Sequence, residues 1–306
     1  MSTDNKNSLK TDIEAVITSY NQGSLILEAV QSLCNQTILP KKIIIVDDGS
    51  TDEYSLRILQ DIEKNSDLIV PVMLYYKENG GVSSARNFGI KKAQASLVLV
   101  LDGDDQLEPT YIENVSQLLY DNPSMVVASS WMHTFGVLDA MVCPTGGNIV
   151  PFLSHNCCPA THILRKEIYQ QCDGYDESML SGFEDWEYFL SMLETTPEAY
   201  IGIVERPLIN YRTAPASTNI KSMDKRLDLM RYIIEKHINS YRRHLVDVLL
   251  DIETISNFRL YGWENEIVHS ITHHQELSKS SKDFIKKPSY GDSGMACAVR
   301  IVSMQK

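Results

Sequence analysis

The sequence has little of what marks several protein classes. Eleven prolines and fifteen glycines in 306 residues are too few for a collagen or a low-complexity chain. No run approaches the roughly 18 apolar residues that span a bilayer; the longest apolar runs, such as 96–101, are strand-sized. The N-terminal MSTDNKNSLKTD is polar and lacks the apolar core of a signal peptide. Cys34, Cys143, Cys157, Cys158, Cys172 and Cys297 show no CxxC spacing. A zinc knuckle, a redox pair and a disulfide scaffold are therefore not indicated, and free thiols in a reducing cytoplasm are the expectation. Cations are also short, 28 Lys and Arg against 40 Asp and Glu for a net −12, which argues against a nucleic-acid binder. The balance is uneven: 277–306 holds six basic residues and two acids, so 1–276 carries a net −16. An anionic ligand on such a body needs a metal ion or a few placed cations.

What is present suits one large α/β domain or two modest ones. After a polar tail over 1–10, apolar runs at 13–19, 42–46, 72–76, 97–101 and 125–129 predict strands. Helical patterns at about 24–35, after 52, at 82–93 and at 109–120 lie between them. Strand alternating with helix predicts a mostly parallel sheet with helices on both faces. In such sheets ligands bind beyond the carboxyl ends of the strands. Those ends carry Tyr20, Asp47-Asp48 and Asp102-Gly103-Asp104.

Further on the pattern is less regular. Residues 131–156 read as a loop, 163–175 as a short helix, 182–193 as a helix opening on Glu184-Asp185, and 200–204 as an edge strand. Apolar residues from Leu227 to Ile255 step by three or four, which predicts one long amphipathic helix or two over 224–260. The Ser- and Lys-rich 277–306 reads as a loose tail.

Three carboxylate groups carry the chemistry. Asp47-Asp48 are acceptors only, suited to ribose hydroxyls and base N–H groups. Asp102-Gly103-Asp104-Asp105 offers hard oxygen ligands to Mg²⁺ or Mn²⁺. Glu184-Asp185 at a helix start is a candidate general base. Taken singly, each is better explained as a turn, a cap or a helix-dipole partner. Together, in this order and at strand ends, they describe a site.

The residues Thr18-Ser19-Tyr20-Asn21, Val46-Asp47-Asp48-Gly49-Ser50-Thr51-Asp52, Gly81-Val82-Ser83-Ser84-Ala85-Arg86-Asn87, Leu101-Asp102-Gly103-Asp104-Asp105 and Gly182-Phe183-Glu184-Asp185-Trp186 resemble a family 2 glycosyltransferase of the GT-A fold. The resemblance covers about 11–215. It implies a non-processive, inverting enzyme of bacterial surface-glycan type, with a C-terminal helical region over 216–276. It implies a nucleotide-sugar donor, most often a UDP-sugar, and a glycan or lipid-linked acceptor. Thr18, Tyr20, Asp47, Asp48, Arg86 and Asp102 would hold the donor, with Tyr20 against the base. Asp104, with Asp102, would ligate Mn²⁺ or Mg²⁺, and Asp185 would be the catalytic base. Glu184, Trp186 and His162 would border the acceptor; Cys157-Cys158 lies in the region that borders it in the family but reads rather as a packed loop, and Asp105 is as well explained as a helix cap. Arg212 either reaches the diphosphate or makes a surface ion pair. The Gln-x-x-Arg-Trp segment of processive synthases is absent, and Tyr211-Arg212 stands in its place.

Other readings stay open at this point. A sugar nucleotidyltransferase would need a Gly-rich phosphate loop after the first strand, which Ser19-Tyr20-Asn21-Gln22-Gly23 is not. A non-catalytic nucleotide-sugar-binding or membrane-associated module keeps the same scaffold. His155, His162 and His273-His274 lack partners at metal spacing and read as packed or solvated. The basic helix over 224–260 is expected to bury its apolar face on the catalytic domain. An anionic membrane surface or a second copy in a homodimer are the other partners it would suit. Localisation is expected to be cytoplasmic, with peripheral contact at the inner face of the membrane.

Overall fold

The runs rich in Val, Ile and Leu become strands buried on both faces, as parallel strands covered by helices must be. In the computed structural model, which describes residues 12–215, 222–261, 267, 269–270, 273, 275–291 and 294–304, β1 (Ile13–Ser19) and β2 (Ile43–Asp47) are buried along their whole length. With β3 (Val72–Tyr76) and β4 (Leu97–Asp102) they pair in parallel, in the order β3-β2-β1-β4. Helices α1 (Leu25–Cys34), α2 (Glu53–Lys64) and α3 (Val82–Lys92) make the crossovers. Of the candidate caps for α2 it is Asp52 that accepts from the Ser55 amide, at 2.9 Å. Helix α3 lies close on β1 because Gly89 has no Cβ; one built there would stand 2.4 Å from Val16 Cγ1.

Beyond β4 the sheet is mixed, and here the sequence reading is corrected. The segment read as a loop from 131 continues the strand: β6 is Met125–Gly136, and β7 (Ala140–Val142) folds back on it. Met132 and Thr134 are buried and alternate with half-exposed Trp131, His133 and Phe135, a period of two. Residues read as the start of a helix form β8 (His162–Arg165), antiparallel to β4 and β6, before a single turn at Lys166–Tyr169. The supposed edge strand is β9 (Tyr200–Thr213), which lies between β6 and the two-residue β5 (Gln106–Leu107). Pro207 is tolerated there at a register shift opposite Ser130 and Trp131.

Helix α4 (Tyr111–Asp121) covers β6 and β9, the one-turn α5 (Ile149–Phe152) and α6 (Lys166–Tyr169) follow, and α7 (Glu184–Leu193) packs on the opposite face through Trp186, Phe189, Leu190 and Leu193. The expected helix over 224–260 is broken into Arg226–Lys236, Ile238–Arg243 and Leu245–Tyr261, with the breaks at His237 and His244. Ile233, Tyr241 and Val248 are buried, whereas Leu227, Val246, Leu249 and Leu250 are exposed.

The described part of 277–306 is not a loose tail. Ser278 caps a helix over Lys279–Lys286, and a second helix runs over Gly294–Met304. Phe284, Ala298, Val299 and Ile301 sink into the same core as Leu138 and Val142. Ser and Lys hide the apolar face of the first helix, and the average composition of 277–306 conceals the largely apolar run 295–302 of the second. The polar residues 1–10 and His274 lie outside the described residues. Among the described residues no helix is long and apolar enough to cross a membrane.

Candidate active site

Because β1, β2 and β4 run the same way, their carboxyl ends meet at one edge, where the following loops open a cleft of about 590 Å³. Asn21 ties two of these loops together, its side-chain oxygen accepting from the Thr51 and Asp52 amides at 2.9 and 3.0 Å. Thr18, Tyr20, Asp48, Arg86, Asp102, Asp104, Glu184 and Arg212 all line the cleft. Tyr20 stands half exposed at its mouth.

The paired acids after β2 separate. Asp47 does not line the cleft: it is buried, and its carboxylate closes the turn by accepting from the amide and hydroxyl of Ser50 at 3.0 and 2.5 Å. Its assignment to the donor is corrected to a turn-forming role. Asp48 turns into the cleft and accepts from Lys77 Nζ at 2.6 Å and from the Gly80 and Gly81 amides at 3.0 and 2.8 Å. These bonds shape the loop that leads into α3. Sequence reasoning misses Lys77, since an isolated lysine after a strand carries no signal.

Arg86 is buried under the cleft floor and not offered to a ligand as a free cation. Its Nη2 grips both oxygens of Asp102 at 2.8 and 3.0 Å, and its Nη1 lies 3.4 Å from Glu184 Oε1. Thr18 Oγ1 donates to Asp102 as well, at 3.3 Å. Arg86 thus fixes two acids from distant parts of the chain.

Asp104 is different. No other described side chain bonds to its carboxylate. Burial, then the charge of Asp102, pushes its pKa up to about 6. Asp105 is no helix cap: it is buried and accepts from the Arg212 amide at 2.8 Å. The Arg212 guanidinium donates to the Asp104 carbonyl at 3.0 Å, pairs with Glu28 at 2.6 Å and covers the Phe135 ring. Of the two roles left open for Arg212, the ion pair with Glu28 is present, and the side chain also lines the cleft wall.

Gly182 and Phe183 both adopt positive φ, 105° and 67°, immediately before α7. For a phenylalanine this conformation costs about 1–2 kcal/mol. Its effect is to send the two acids of the first turn to different places. Glu184 faces the large cleft and Arg86. Asp185 faces an adjoining cavity of about 70 Å³, lined also by Asn156, Phe183, Trp186, Arg226 and Tyr290. Asn156 donates to Asp185 Oδ2 at 3.1 Å, and the Trp186 amide to Oδ1 at 2.8 Å. Burial raises the pKa of both acids; their mutual repulsion adds for Glu184, and Arg86 opposes it for both. Sequence reasoning also misses Asn156 and Tyr290, the one within the supposed loop and the other within the supposed tail.

Of the two remaining acceptor-side candidates, Trp186 lines the small cavity beside Asp185 and His162 does not. Trp186 is buried, its indole N–H donating to the Phe152 carbonyl at 2.5 Å. His162 lines neither cavity. Its Nδ1 bonds to the Ala160 carbonyl at 2.7 Å, its ring packs on Tyr188 and Phe189, and burial lowers its pKa to about 3. It is a neutral core histidine.

Residues 36% identical over 113 positions occur in the minor teichoic acid biosynthesis protein GgaB of Bacillus subtilis, covering 36% of this chain and 12% of that protein. Chondroitin synthase of Escherichia coli is 26% identical over 218 residues, covering 69% of this chain and 30% of that one. The chain thus spans less than a third of the length of either relative. Among solved structures, S. aureus TarS 1-349 superposes with a TM-score of 0.57 at 18% identity, covering 95% of this chain and 88% of that one. The same protein in complex with UDP-GlcNAc gives 0.59 at 17% identity, covering 95% and 89%. These likenesses give the fold, GT-A. The model of Glycosyl transferase family 2 matches residues 14–172, a little over half of the sequence, and the chain belongs to that family.

Proposed function

We propose that the chain transfers a single sugar from a nucleotide sugar to a hydroxyl of a glycan or lipid-linked acceptor, with inversion, and that 11–215 is its catalytic unit. The observation that carries this reading is the division of the Glu184-Asp185 pair. One acid closes the wall of a cleft lined by strand-end carboxylates, and the next opens on a separate small cavity. A two-substrate transfer can use such an arrangement where the adjoining cavities let the acceptor hydroxyl meet the donor's anomeric carbon. The donor takes the large cleft, with the base on Tyr20, the ribose near Asp48 and Thr18, and the diphosphate toward Asp104 and Arg212. The acceptor hydroxyl enters beside Asp185.

The residues fit a divalent cation. Mg²⁺ and Mn²⁺ are hard ions commonly held by one or two carboxylates, with substrate phosphates completing the shell. Among the described residues no three His, Cys, Asp or Glu side chains converge as a full metal cage. Asp104, whose carboxylate no other described side chain engages, would be the leading ligand and Asp102 the second, the latter already gripped by Arg86. Such an ion supplies Lewis-acid stabilisation of the charge on the departing nucleoside diphosphate.

The chain's own residues do the rest. Asp185 takes the proton from the acceptor hydroxyl, a poor nucleophile until it is lost. Burial, which raises the carboxyl pKa, makes Asp185 a stronger base than a solvated aspartate. Attack in line from the face opposite the leaving group inverts the oxocarbenium-like centre. Arg86 keeps Asp102 and Glu184 in register across the cleft.

The test is a screen of UDP-, GDP- and dTDP-sugars for release of the nucleoside diphosphate, first with Mn²⁺ or Mg²⁺ and then with EDTA. UDP-GlcNAc is the first donor to try, since TarS has been solved with it. Cation-dependent release from one donor, abolished by Asp104→Ala, is expected. Neither binding nor turnover across the panel would overturn the reading in favour of a silent module.

A further inference from the structure

Asp185 sits on the first turn of α7, and a backbone amide alone would not fix where its outer oxygen points. That oxygen, Oδ2, receives the Asn156 amide group at 3.1 Å. The orientation of the Asn156 side chain is itself determined, because its own oxygen accepts from the Cys158 backbone amide at 3.1 Å. The –NH₂ end must then face Asp185. Asn156 is buried, and its backbone is pressed from behind by the C-terminal segment. A Cβ built on Gly291, where φ is +82°, would lie 1.6 Å from the Asn156 carbonyl oxygen. Next to it Tyr290 donates its hydroxyl to the Cys158 carbonyl at 3.1 Å, clamping both ends of the 156–158 turn.

We propose that Asn156 is the positioning residue that aims the Asp185 carboxylate, and that Gly291 of the C-terminal segment holds Asn156 in place. The role given to Asp185 as base rests on the function proposed above; the positioning does not. A donor on the carboxylate favours its ionised form and fixes one lone pair, leaving the other for the acceptor proton. The part of the chain that composition marks as a tail thereby reaches the site, and none of its described residues lines the donor cleft.

Several other groups face Asp185. Arg86 and Arg226 are cations, Asp102 and Glu184 are acids, and Cys158, Tyr175, Tyr211 and Tyr290 are a thiol and phenols that burial keeps neutral. Burial raises the Asp185 pKa most and Arg86 opposes it most strongly; the Asn156 amide adds the one neutral side-chain donor seen on Oδ2 among the described residues.

The experiment follows the Asp185 carboxyl carbon by ¹³C NMR in the full chain labelled at aspartate, with Asp185→Asn assigning the resonance. Asn156→Asp keeps the acceptor for the Cys158 amide, so the turn is retained, but it sets a second carboxyl against Oδ2. The Asp185 midpoint is expected to rise by about one pH unit or more, the two carboxyls titrating as a pair. Asn156→Ala and Gly291→Ala should move it in the same direction by less. An unchanged midpoint in all three variants overturns the proposal.

With UDP-GlcNAc and Mn²⁺, the acidic limb of UDP release should move by the same number of pH units while the donor KM stays put. A midpoint that moves while Asp185→Asn keeps wild-type turnover would leave the positioning intact and remove Asp185 as base. The two failures are thus told apart.

Discussion

Asp104 is a largely desolvated acid in the metal-free protein, and Asp104→Asn should make that protein more stable while removing its function. Its carboxyl pKa is pushed up from the ordinary aspartate range to about 6, by burial first and by the Asp102 charge second. A raised pKa means that the folded state holds the proton more tightly than the unfolded chain does. Below about pH 4 both states are protonated and the group costs nothing. Between about pH 4 and 6 the unfolded chain ionises first and stability falls as pH rises; above about 6 the full cost is in place. A displacement of about two pH units between the folded and unfolded chains corresponds to about 3 kcal/mol, at roughly 1.36 kcal/mol for each. Asn has the same shape and no charge, so Asp104→Asn should recover up to about 3 kcal/mol at about pH 7.5 and nothing at about pH 4. Urea unfolding in EDTA, repeated between about pH 4 and 8, measures this directly. Adding Mn²⁺ should then stabilise the wild type and leave the variant unmoved. Equal stabilities of the two proteins across that range would refute the burial argument, and equal responses to Mn²⁺ would refute the choice of Asp104 as ligand.

Arg86→Met leaves Asp102 and Glu184 facing each other without the cation that both grip, and breaking a buried pair of this kind costs about 3–5 kcal/mol. Adding Glu184→Gln should recover part of that loss; urea midpoints of the single and double variants test the coupling, and a loss below about 1 kcal/mol in Arg86→Met would refute it. A second pH dependence lies at His237, which joins the C-terminal helices to α7 between Glu187 and Glu194 at 3.3 and 2.9 Å. Burial disfavours its charge, but these two bonds outweigh it and its pKa is raised. The stabilisation is therefore complete below the ordinary histidine range and is lost as pH rises through the folded value. His237→Gln should flatten the fall in thermal midpoint as pH rises above the ordinary histidine value, and an identical slope in both proteins would count against the link.

The parallel half of the sheet was legible because a strand covered on both faces must be apolar throughout, and Ile13–Ser19, Ile43–Asp47 and Leu97–Asp102 leave little other choice. The strand-end acids were legible for the same reason, since polar residues directly after such runs can only stand at the sheet edge. Legibility failed where one face is half exposed. The alternation through Met132 and Thr134 is a strand pattern interrupted by Gly136 and followed by Gly146 and Gly147, so glycine and proline content suggested a loop. It failed again at 279–304, where the Ser- and Lys-rich first helix offers only Phe284 and Ile285 to the core, and the average composition of the segment concealed the largely apolar run 295–302 that packs beside them.

Individual site residues were harder than the site. Adjacent acids look equivalent in a sequence, yet both pairs divide their work. Asp47 closes its own turn with Ser50 while Asp48 faces the cleft. Glu184 faces Arg86 while Asp185 faces Asn156. In each case one residue of backbone advance, after β2 or after the positive-φ pair Gly182-Phe183, rotates the next carboxylate to a different surface. Side-chain direction at a strand end or a first helical turn is set by that local geometry and not by residue type. Asn156 illustrates the converse. An asparagine in a loop-like stretch has no chemistry of its own to advertise, and its significance comes from the Cys158 amide on one side, Gly291 behind it and the carboxylate it faces. Residues that react announce themselves by type, whereas residues that aim them are defined by their neighbours. The second kind becomes visible only when the chain from 156 to 291 is folded into one place.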